Sequence, residues 1–315
     1  MVRKSALADR QIARGVTRPS VQYIPISICR YILGSMCLIA STCGHAEGFA
    51  DLDATFAYDD NVTNAKLPSD IRSDVSAGMK GAAGTQIDLD DFGFLDLAGD
   101  LLLTAHARYD GLDEIDLGGH ASLHKKLGLG LLAPSVNATV AVLHASFEGD
   151  VRDGWLTTAS VGASERVTPR LLLRLDVGLQ YRTQDHSEAA FGGLSGEVFR
   201  QFDQTQSLGA EVTLSDRVGL LATYERRKGD ANLSIHNGPN ADLGDALAVS
   251  ADPTFGPNTV AERVKAITQS LLLGVNYALG AHSSASVLFR YDLTREPSGD
   301  IYRRMLTSLD YSYAF

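Results

Sequence analysis

Apolar and polar residues alternate with a period of two along most of the chain, and each alternating segment breaks off after roughly ten residues. The C-terminal segment is the clearest example. Its apolar face carries Met305, Leu309, Tyr311, Tyr313 and Phe315, and its polar face carries Arg304, Ser308, Asp310 and Ser312. Because successive side chains of a strand point to opposite sides of a sheet, this period predicts strands with one apolar and one polar face.

The alternation predicts about twelve strands, within a range of about 10–14. They lie at approximately 49–59, 72–86, 94–109, 114–126, 134–148, 154–167, 170–184, 203–215, 217–228, 265–279, 283–295 and 302–315. Connections after even-numbered strands are short, whereas those after odd-numbered strands include two long ones, at about 185–202 and 229–264. Even strand numbers with short turns at one end and long loops at the other are typical of bacterial outer-membrane barrels.

Strand length favours a membrane barrel over a soluble β-sandwich. The strands span about 10–14 residues, and a tilted membrane crossing needs about 9–11, whereas strands of soluble proteins most often have about 5–6. Aromatic residues also lie near strand ends, as in the girdles of such barrels. Because hydrocarbon leaves no sheet edge unpaired, we expect an all-β, closed antiparallel up-and-down barrel. The alternative, a soluble sandwich, predicts no outward apolar belt.

The first 46 residues have the composition of an export signal. A basic stretch with Arg3, Lys4 and Arg10 precedes the apolar run 31–40, and small residues at Gly44 and Ala46 fit cleavage before Glu47. The domain prediction is therefore a signal peptide at 1–46 and a barrel at 47–315. A buried helix of a soluble protein, or lipidation of Cys43, is the alternative interpretation.

Charge and cysteine content exclude several functions. The chain carries a net charge of −10 with no basic block, so nucleic acid is not an expected partner. All 3 cysteines precede the predicted cleavage point, which leaves the exported chain without disulfides, thiolate metal sites or a cysteine nucleophile.

In a barrel of this kind the apolar faces meet lipid, and the polar faces line the lumen. The residues predicted to line it are Asp96, Asp100, His106, Arg108, Asp116, His120, Arg174, Asp176, Arg182, Glu211, Arg290, Asp292, Arg304 and Asp310. Such mixed charges either plug a lumen through ion pairs or line a hydrated pore. Recurrent inward glycines, such as Gly162, Gly178 and Gly274, favour a hydrated path because they leave room. The loop 229–264 is either a constriction folded into the mouth or a mobile external loop.

Catalytic and metal-binding patterns are weak, so we expect no enzyme, no cofactor and no metal. His120 and His124 share one strand face at about 13 Å, which is too far apart for one ion. Serine and histidine are neighbours at His144-Ala145-Ser146 and at His186-Ser187-Glu188, but no G-x-S-x-G turn surrounds any serine. An outer-membrane lipid enzyme remains an alternative, and it predicts a Ser/His pair within hydrogen-bonding reach at the outer rim.

The two ends of the predicted barrel resemble a known family. The segment 58–62 (Tyr-Asp-Asp-Asn-Val) and the closing segment 302–315 resemble the first strand end and the last hairpin of outer-membrane β-barrel porins of Gram-negative bacteria. The barrel half of surface lipoprotein assembly modifiers is similar, but those proteins carry a helical-repeat domain for which no room exists before Phe49. The resemblance implies that Phe315 is the signal recognised by the barrel-assembly machinery.

Together these features predict a porin-like channel of the bacterial outer membrane. It would give passive passage to small solutes or oligosaccharides, with outer-membrane lipid and the barrel-assembly machinery as partners. The rival hypothesis is a non-conducting accessory barrel of an envelope export or assembly system, with a plugged lumen.

Overall fold

A computed structural model describes residues 46–238 and 243–315. The predicted signal peptide lies outside the described residues, apart from Ala46. The strands are β1 (Ala46–Asp59), β2 (Asp74–Asp90), β3 (Gly93–His106), β4 (Glu114–Lys126), β5 (Ser135–Phe147), β6 (Gly154–Thr168), β7 (Leu171–Arg182), β8 (Gln201–Thr213), β9 (Val218–His236), β10 (Ala248–Ala251), β11 (Thr259–Ala278), β12 (Ser283–Arg295) and β13 (Ile301–Ala314). Two 3₁₀ turns, Asp110–Leu112 and Pro253–Phe255, complete the regular structure of the described ranges.

Twelve of these strands form a closed antiparallel barrel, which confirms the predicted architecture. Sequence neighbours pair from β1 to β9, β9 pairs with β11, and β11 to β13 follow in order. The barrel closes where β1 pairs with β13, in a register that sets Asp51 against Ala314 and Asp59 against Leu306. We call these twelve paired strands the wall.

The wall carries its apolar residues on the outside. On β7, Leu175 is 55% exposed, and Val177 and Leu179 on the same face are also exposed. The side chain of the adjacent Arg174 is only 11% exposed, so it lies on the inner face. Exposed apolar residues recur in this way on strands all around the barrel. A closed barrel with an apolar outer surface is suited to hydrocarbon, and it excludes the soluble sandwich.

The two ends of the barrel differ in their connections. The turns at 91–92, 127–134, 169–170, 214–217 and 279–282 lie at the same end as the first and last residues of the wall. The opposite end carries the longer segments 60–73, 183–200 and 237–258. This alternation agrees with the prediction and identifies the external end. No helix in the described ranges is both long and apolar enough for a membrane span.

The longest connection is more ordered than the sequence indicates. The prediction left 229–264 without regular structure, but β9 continues to His236 and β11 begins at Thr259. The short strand β10 then pairs with Val260–Arg263 of β11. β9 and β11 can extend beyond the ends of the other strands because their backbone N–H and C=O groups bond to each other along the whole extension. The connection that remains is 237–258.

Buried apolar residues collect near the external end. Tyr302 of β13 packs with Leu233 of β9 and Val264 of β11, and all three are nearly inaccessible to solvent. A second cluster joins Val198 and Phe199 to the strand extensions, and a third surrounds Val249. These clusters of buried apolar residues therefore lie at the external end of the barrel.

Candidate functional site: the lumen and its external mouth

Ion pairs connect charged side chains within and between strands on the inner face of the wall. Arg290 is the centre of the most extensive group: its Nε lies 2.8 Å from Asp292 Oδ1, and its Nη2 lies 3.0 Å from Glu225 Oε1. Nη2 also donates to Ser270 Oγ at 2.9 Å. Three strands thus share one guanidinium, whose planar fork can serve several acceptors at once.

Two histidines of β4 are paired separately with aspartates of β3. His120 Nδ1 lies 2.6 Å from Asp100 Oδ2, and Lys80 Nζ lies 3.8 Å from the other oxygen of Asp100. His124 Nε2 lies 3.9 Å from Asp96 Oδ2. Each imidazole therefore belongs to a different carboxylate, as expected for residues four apart on a strand. Within the described ranges, no group of three His, Cys, Asp or Glu residues could hold a metal ion.

The other residues predicted to line the lumen form smaller groups. Arg174 Nη2 lies 3.5 Å from Glu211 Oε2, and Asp310 accepts hydrogen bonds from Thr55 Oγ1 and Ser308 Oγ. Arg304 Nε donates to Asp59 at 2.8 Å. Their role in lining a pore stays a prediction, but the structure brings each of them to an inter-strand contact.

Arg182 and Asp116 lie on the inner face near the external end of the barrel. Asp116 is fully buried next to Glu114, and Arg182 faces both carboxylates. The guanidinium of Arg182 also lies 5.2 Å from the centre of the Phe147 ring. His106, the last residue of β3, lies 3.7 Å from Asp113. Unlike these, Arg108 lies beyond the end of β3, where its side chain is exposed and reaches the carbonyl of Ser73.

Inward glycines leave less room than the sequence suggested. A Cβ at Gly162 would lie 2.1 Å from Asp176 Oδ1, and one at Gly178 would lie 2.7 Å from Thr205 Oγ1. At Gly274, Leu288 occupies the corresponding space, with 2.5 Å to the hypothetical Cβ. Neighbouring side chains therefore fill the volume that each glycine provides. The glycines allow close packing inside the barrel and do not by themselves indicate a hydrated path.

The external mouth is covered by loops, which we call the roof: residues 60–73, 107–113, 148–153, 183–200 and 243–258. Its central contact is an ion pair between Arg152 Nη2 and Asp252 Oδ2 at 2.7 Å, with both side chains buried. Arg152 Nη1 also donates to Thr254 Oγ1 at 2.8 Å, and Ser234 Oγ donates to Asp252 Oδ2 at 2.6 Å. A buried charge requires such partners because desolvation is costly.

Aromatic rings surround this ion pair. The guanidinium carbon of Arg152 lies 4.8 Å from the centre of the Phe199 ring and 5.8 Å from that of Phe255. Phe255 in turn meets Tyr109 edge to face at 4.9 Å. Arg152, which follows β5, thereby contacts the segments that follow β7 and β10, and Phe255 links them to the segment that follows β3. Of the two interpretations of the loop 229–264, these contacts favour a constriction folded into the mouth over a mobile external loop.

A further set of contacts ties the segment 60–73 to the extension of β9. The backbone N–H of Ser234 donates to the carbonyl of Thr63 at 2.9 Å, and Asn64 Nδ2 donates to the carbonyl of Asn232 at 3.1 Å. No sequence pattern indicates these contacts, because the partners are far apart along the chain. Nor did any motif single out Arg152 or Asp252.

The turn 296–300, which contacts the roof through Lys66, contains a carboxyl group with a raised pKa. Glu296 lies in the turn between β12 and β13, where burial raises the pKa of its carboxyl. Asp300 raises that pKa further, whereas Lys66 lowers it. Lys66 Nζ also pairs with Asp300 Oδ2 at 2.5 Å.

Comparison with known proteins gives a result for structure but not for sequence. No protein-family model matches the chain, and no curated protein matches it either. The solved COG4313 outer membrane channel from Pseudomonas putida F1 is 10% identical, with a TM-score of 0.52 over 87% of this chain and 97% of that chain. The NanC porin is 7% identical, with a TM-score of 0.46 over 83% of this chain and 98% of that chain.

The KdgM porin, solved in complex with disordered oligogalacturonate, is 9% identical, with a TM-score of 0.40 over 84% of this chain and 99% of that chain. At identities this low, a structural match indicates a shared fold and nothing more. Of these three structures, the Pseudomonas channel has a TM-score above 0.5 and supports a shared fold. The fold, with its closed wall and apolar outer surface, defines an outer-membrane β-barrel. The expected closed antiparallel barrel is confirmed, and its apolar outer surface agrees with the expected outer-membrane setting.

Proposed function

We propose that this protein is a porin-like channel that gives small solutes or oligosaccharides passive passage across the outer membrane. One observation carries the proposal: the twelve-strand wall encloses an inner face with charged groups of both signs, arranged along several strands. Charged inner faces of this kind attract and orient polar solutes. Passage needs no catalytic group in the lumen, and we propose none there.

The roof points to a channel that opens and closes. In the structure described here, a buried ion pair joins the loops over the mouth. A passage through the barrel therefore requires the segment 243–258 to separate from Arg152. The same roof also favours a second candidate function, an accessory barrel whose lumen stays closed.

Single-channel recording separates these candidates. The purified protein is inserted in a planar bilayer, and current is measured for the wild type and for Arg152→Ala. Discrete steps in the wild type support a channel, and longer openings in the variant support gating by the roof. Silence from both proteins, when circular dichroism shows that they are folded, would contradict the channel and favour the accessory barrel.

Phe315 provides a test of the assembly partner. We propose that this exposed terminal ring, which contacts Tyr313 edge to face at 4.7 Å, is read by the barrel-assembly machinery. Phe315→Ala should then lower the amount of protein in the outer membrane. Refolding of the same variant in detergent should be unchanged, because the ring buries little surface in the folded barrel.

A further inference from the structure

A polar group interrupts the outer surface of the barrel where β5, β6 and β7 approach the external end. On β5, Val140 and Val142 are exposed to the outside, and His144 and Ser146 continue the same face. On β7, Val177, Leu179 and Tyr181 face outward, and Asp185 continues that face beyond the strand. Alternation thus places Ser146, His144 and Asp185 together on the outer surface.

The three side chains form a continuous hydrogen-bonded chain. Ser146 Oγ lies 3.2 Å from His144 Nδ1, and His144 Nε2 lies 2.9 Å from Asp185 Oδ2. With the proton on Nε2 directed at the carboxylate, Nδ1 offers its lone pair to the serine hydroxyl. A nucleophile, a base and a group that orients the base are the parts of a serine hydrolase triad.

Backbone pairing holds the group in place. His144 stands opposite Trp155 of β6, and its ring meets the indole edge to face at 5.0 Å. The N–H of Thr183 donates to the carbonyl of Trp155 at 2.9 Å, and the N–H of Asp185 donates to that of Asp153 at the same distance. The segment 183–185 therefore extends the pairing of β7 with β6. This rigidity matters because a triad works only within a narrow geometry.

The position matches the depth of a lipid ester. Trp155 and Tyr181 are exposed aromatic residues of the same outer surface, and such residues mark the boundary between hydrocarbon and headgroups. Ester bonds of membrane lipids lie at this boundary. The serine is also exposed, so a lipid can approach it from the side without entering the lumen.

From this geometry we propose that the protein has a second activity, hydrolysis of acyl esters of outer-leaflet phospholipids, with Ser146 as nucleophile, His144 as base and Asp185 as the residue that orients it. This activity is independent of the proposed channel. The sequence around Ser146 does not match the G-x-S-x-G motif of many serine hydrolases. The pattern His144-Ala145-Ser146 is the sign of it that the sequence contains.

The reaction balances with water as the only co-reactant. Ser146 Oγ attacks the ester carbonyl carbon while its proton passes to His144 Nδ1. The tetrahedral intermediate then expels the lysophospholipid alkoxide, which takes the proton from His144. Water, deprotonated by the same nitrogen, attacks the acyl-serine, and the fatty acid leaves as the proton returns to Ser146. Asp185 stabilises the imidazolium in both halves of the cycle.

Release of fatty acid from phosphatidylethanolamine in detergent mixed micelles tests the activity. The full protein should release fatty acid, and Ser146→Ala should lower the rate by about 10³-fold or more. Ser187→Ala is the matched control, because Ser187 is an exposed serine of the nearby segment 183–200 that the proposal gives no role. The rate of this variant should equal that of the wild type. Asp185→Asn should cause a smaller loss than Ser146→Ala.

A fluorophosphonate probe gives a second readout that does not depend on turnover. The serine oxygen displaces fluoride from phosphorus, and mass spectrometry should place the adduct on Ser146 in the wild type and nowhere in Ser146→Ala. Equal fatty-acid release by wild type and Ser146→Ala, or absence of the adduct from a folded wild-type protein, would overturn the proposal. Single-channel conductance should be the same for Ser146→Ala and wild type, so failure here leaves the channel untouched.

Discussion

The wall and the roof of this barrel are stabilised in different ways. In the wall, each strand pairs with its neighbours along its length, with register shifts at Asp88/Asp90 and Arg166/Thr168, and the outer face is apolar at most alternate positions. In the roof, a few long-range contacts hold irregular loops, and Arg152 and Asp252 are 100 residues apart in sequence. The wall distributes its stability over many similar backbone contacts, whereas the roof depends on a few long-range contacts, among them one buried ion pair.

This difference predicts that single substitutions act globally on the outer face of the wall and locally in the roof. A substitution on the outer face alters the contact with lipid and so affects insertion of the whole barrel. A roof substitution alters only the equilibrium between a covered and an uncovered mouth. Four predictions test that distinction, in order of decreasing expected effect.

Arg152→Met should have the largest effect, a loss of about 3–5 kcal/mol from roof closure, because Asp252 is left buried without its cation. Limited proteolysis within 243–258 should become faster, while the β-sheet signal in circular dichroism stays unchanged. The double variant Arg152→Met with Asp252→Leu should recover much of the loss, since no lone charge remains. Arg200→Ala is the control, because its ion pair with Glu197 is exposed. Global unfolding by Arg152→Met would contradict a separate roof.

Leu175→Arg should block membrane insertion, with a cost of about 2–4 kcal/mol for a charge facing the middle of the hydrocarbon. Arg174→Leu is the matched control one residue away, on the inner face of the same strand. It should fold and insert, with at most a modest loss of stability from the contact with Glu211. Folding into lipid vesicles, followed by sedimentation, measures both. Similar behaviour of the two variants would show that the assignment of faces is wrong.

Arg290→Gln should change ion selectivity and leave insertion intact. The substitution removes the cation shared by Asp292 and Glu225, so the inner face becomes more negative. Preference for cations over anions, measured as a reversal potential across a salt gradient, should therefore rise relative to wild type. Arg303→Gln, an exposed position on β13, is the control and should leave the reversal potential unchanged. An unchanged potential in Arg290→Gln would place that residue outside the ion path.

Glu296 should make closure of the roof weakly dependent on pH. Because burial raises the pKa of this carboxyl above its ordinary value of 4.5, the packed state favours the protonated form. Closure therefore gains stability as the pH falls through the raised pKa, and open probability should decrease. Glu296→Gln, which cannot ionise, should show the same low open probability above and below the raised pKa of the wild-type carboxyl. A response that survives the substitution would assign the effect to another group.

The sequence was sufficient for the wall because its signals are local. Alternation over one strand, as from Leu171 to Arg182, fixes both the strand and its faces without knowledge of its partners. The contacts between charged residues were predicted only in part. The spacing of His120 and His124 predicts that they do not share one ligand, and each is paired with a different aspartate. End positions were less certain, and Arg108 was assigned to a strand that ends at His106.

The roof could not be predicted in this way, because its contacts join distant segments with no shared period. Val249 is fully buried by residues of three segments, and nothing in its neighbourhood indicates them. The group of Ser146, His144 and Asp185 on the outer surface could be predicted in part. Their spacing was visible in the sequence, but the third member, Asp185, is 41 residues from His144 and becomes apparent only through the pairing of β7 with β6.

The pairing of β1 with β13 has a consequence for the timing of assembly. One edge of residues 51–59 pairs with β2, but the other edge pairs with residues 306–314, so this seam joins segments that are more than 240 residues apart in sequence. A growing chain that lacks β13 exposes two unpaired strand edges, which lipid does not tolerate and which invite aggregation in water. Such a chain cannot complete its structure during synthesis. It depends on being kept extended until its last strand has arrived.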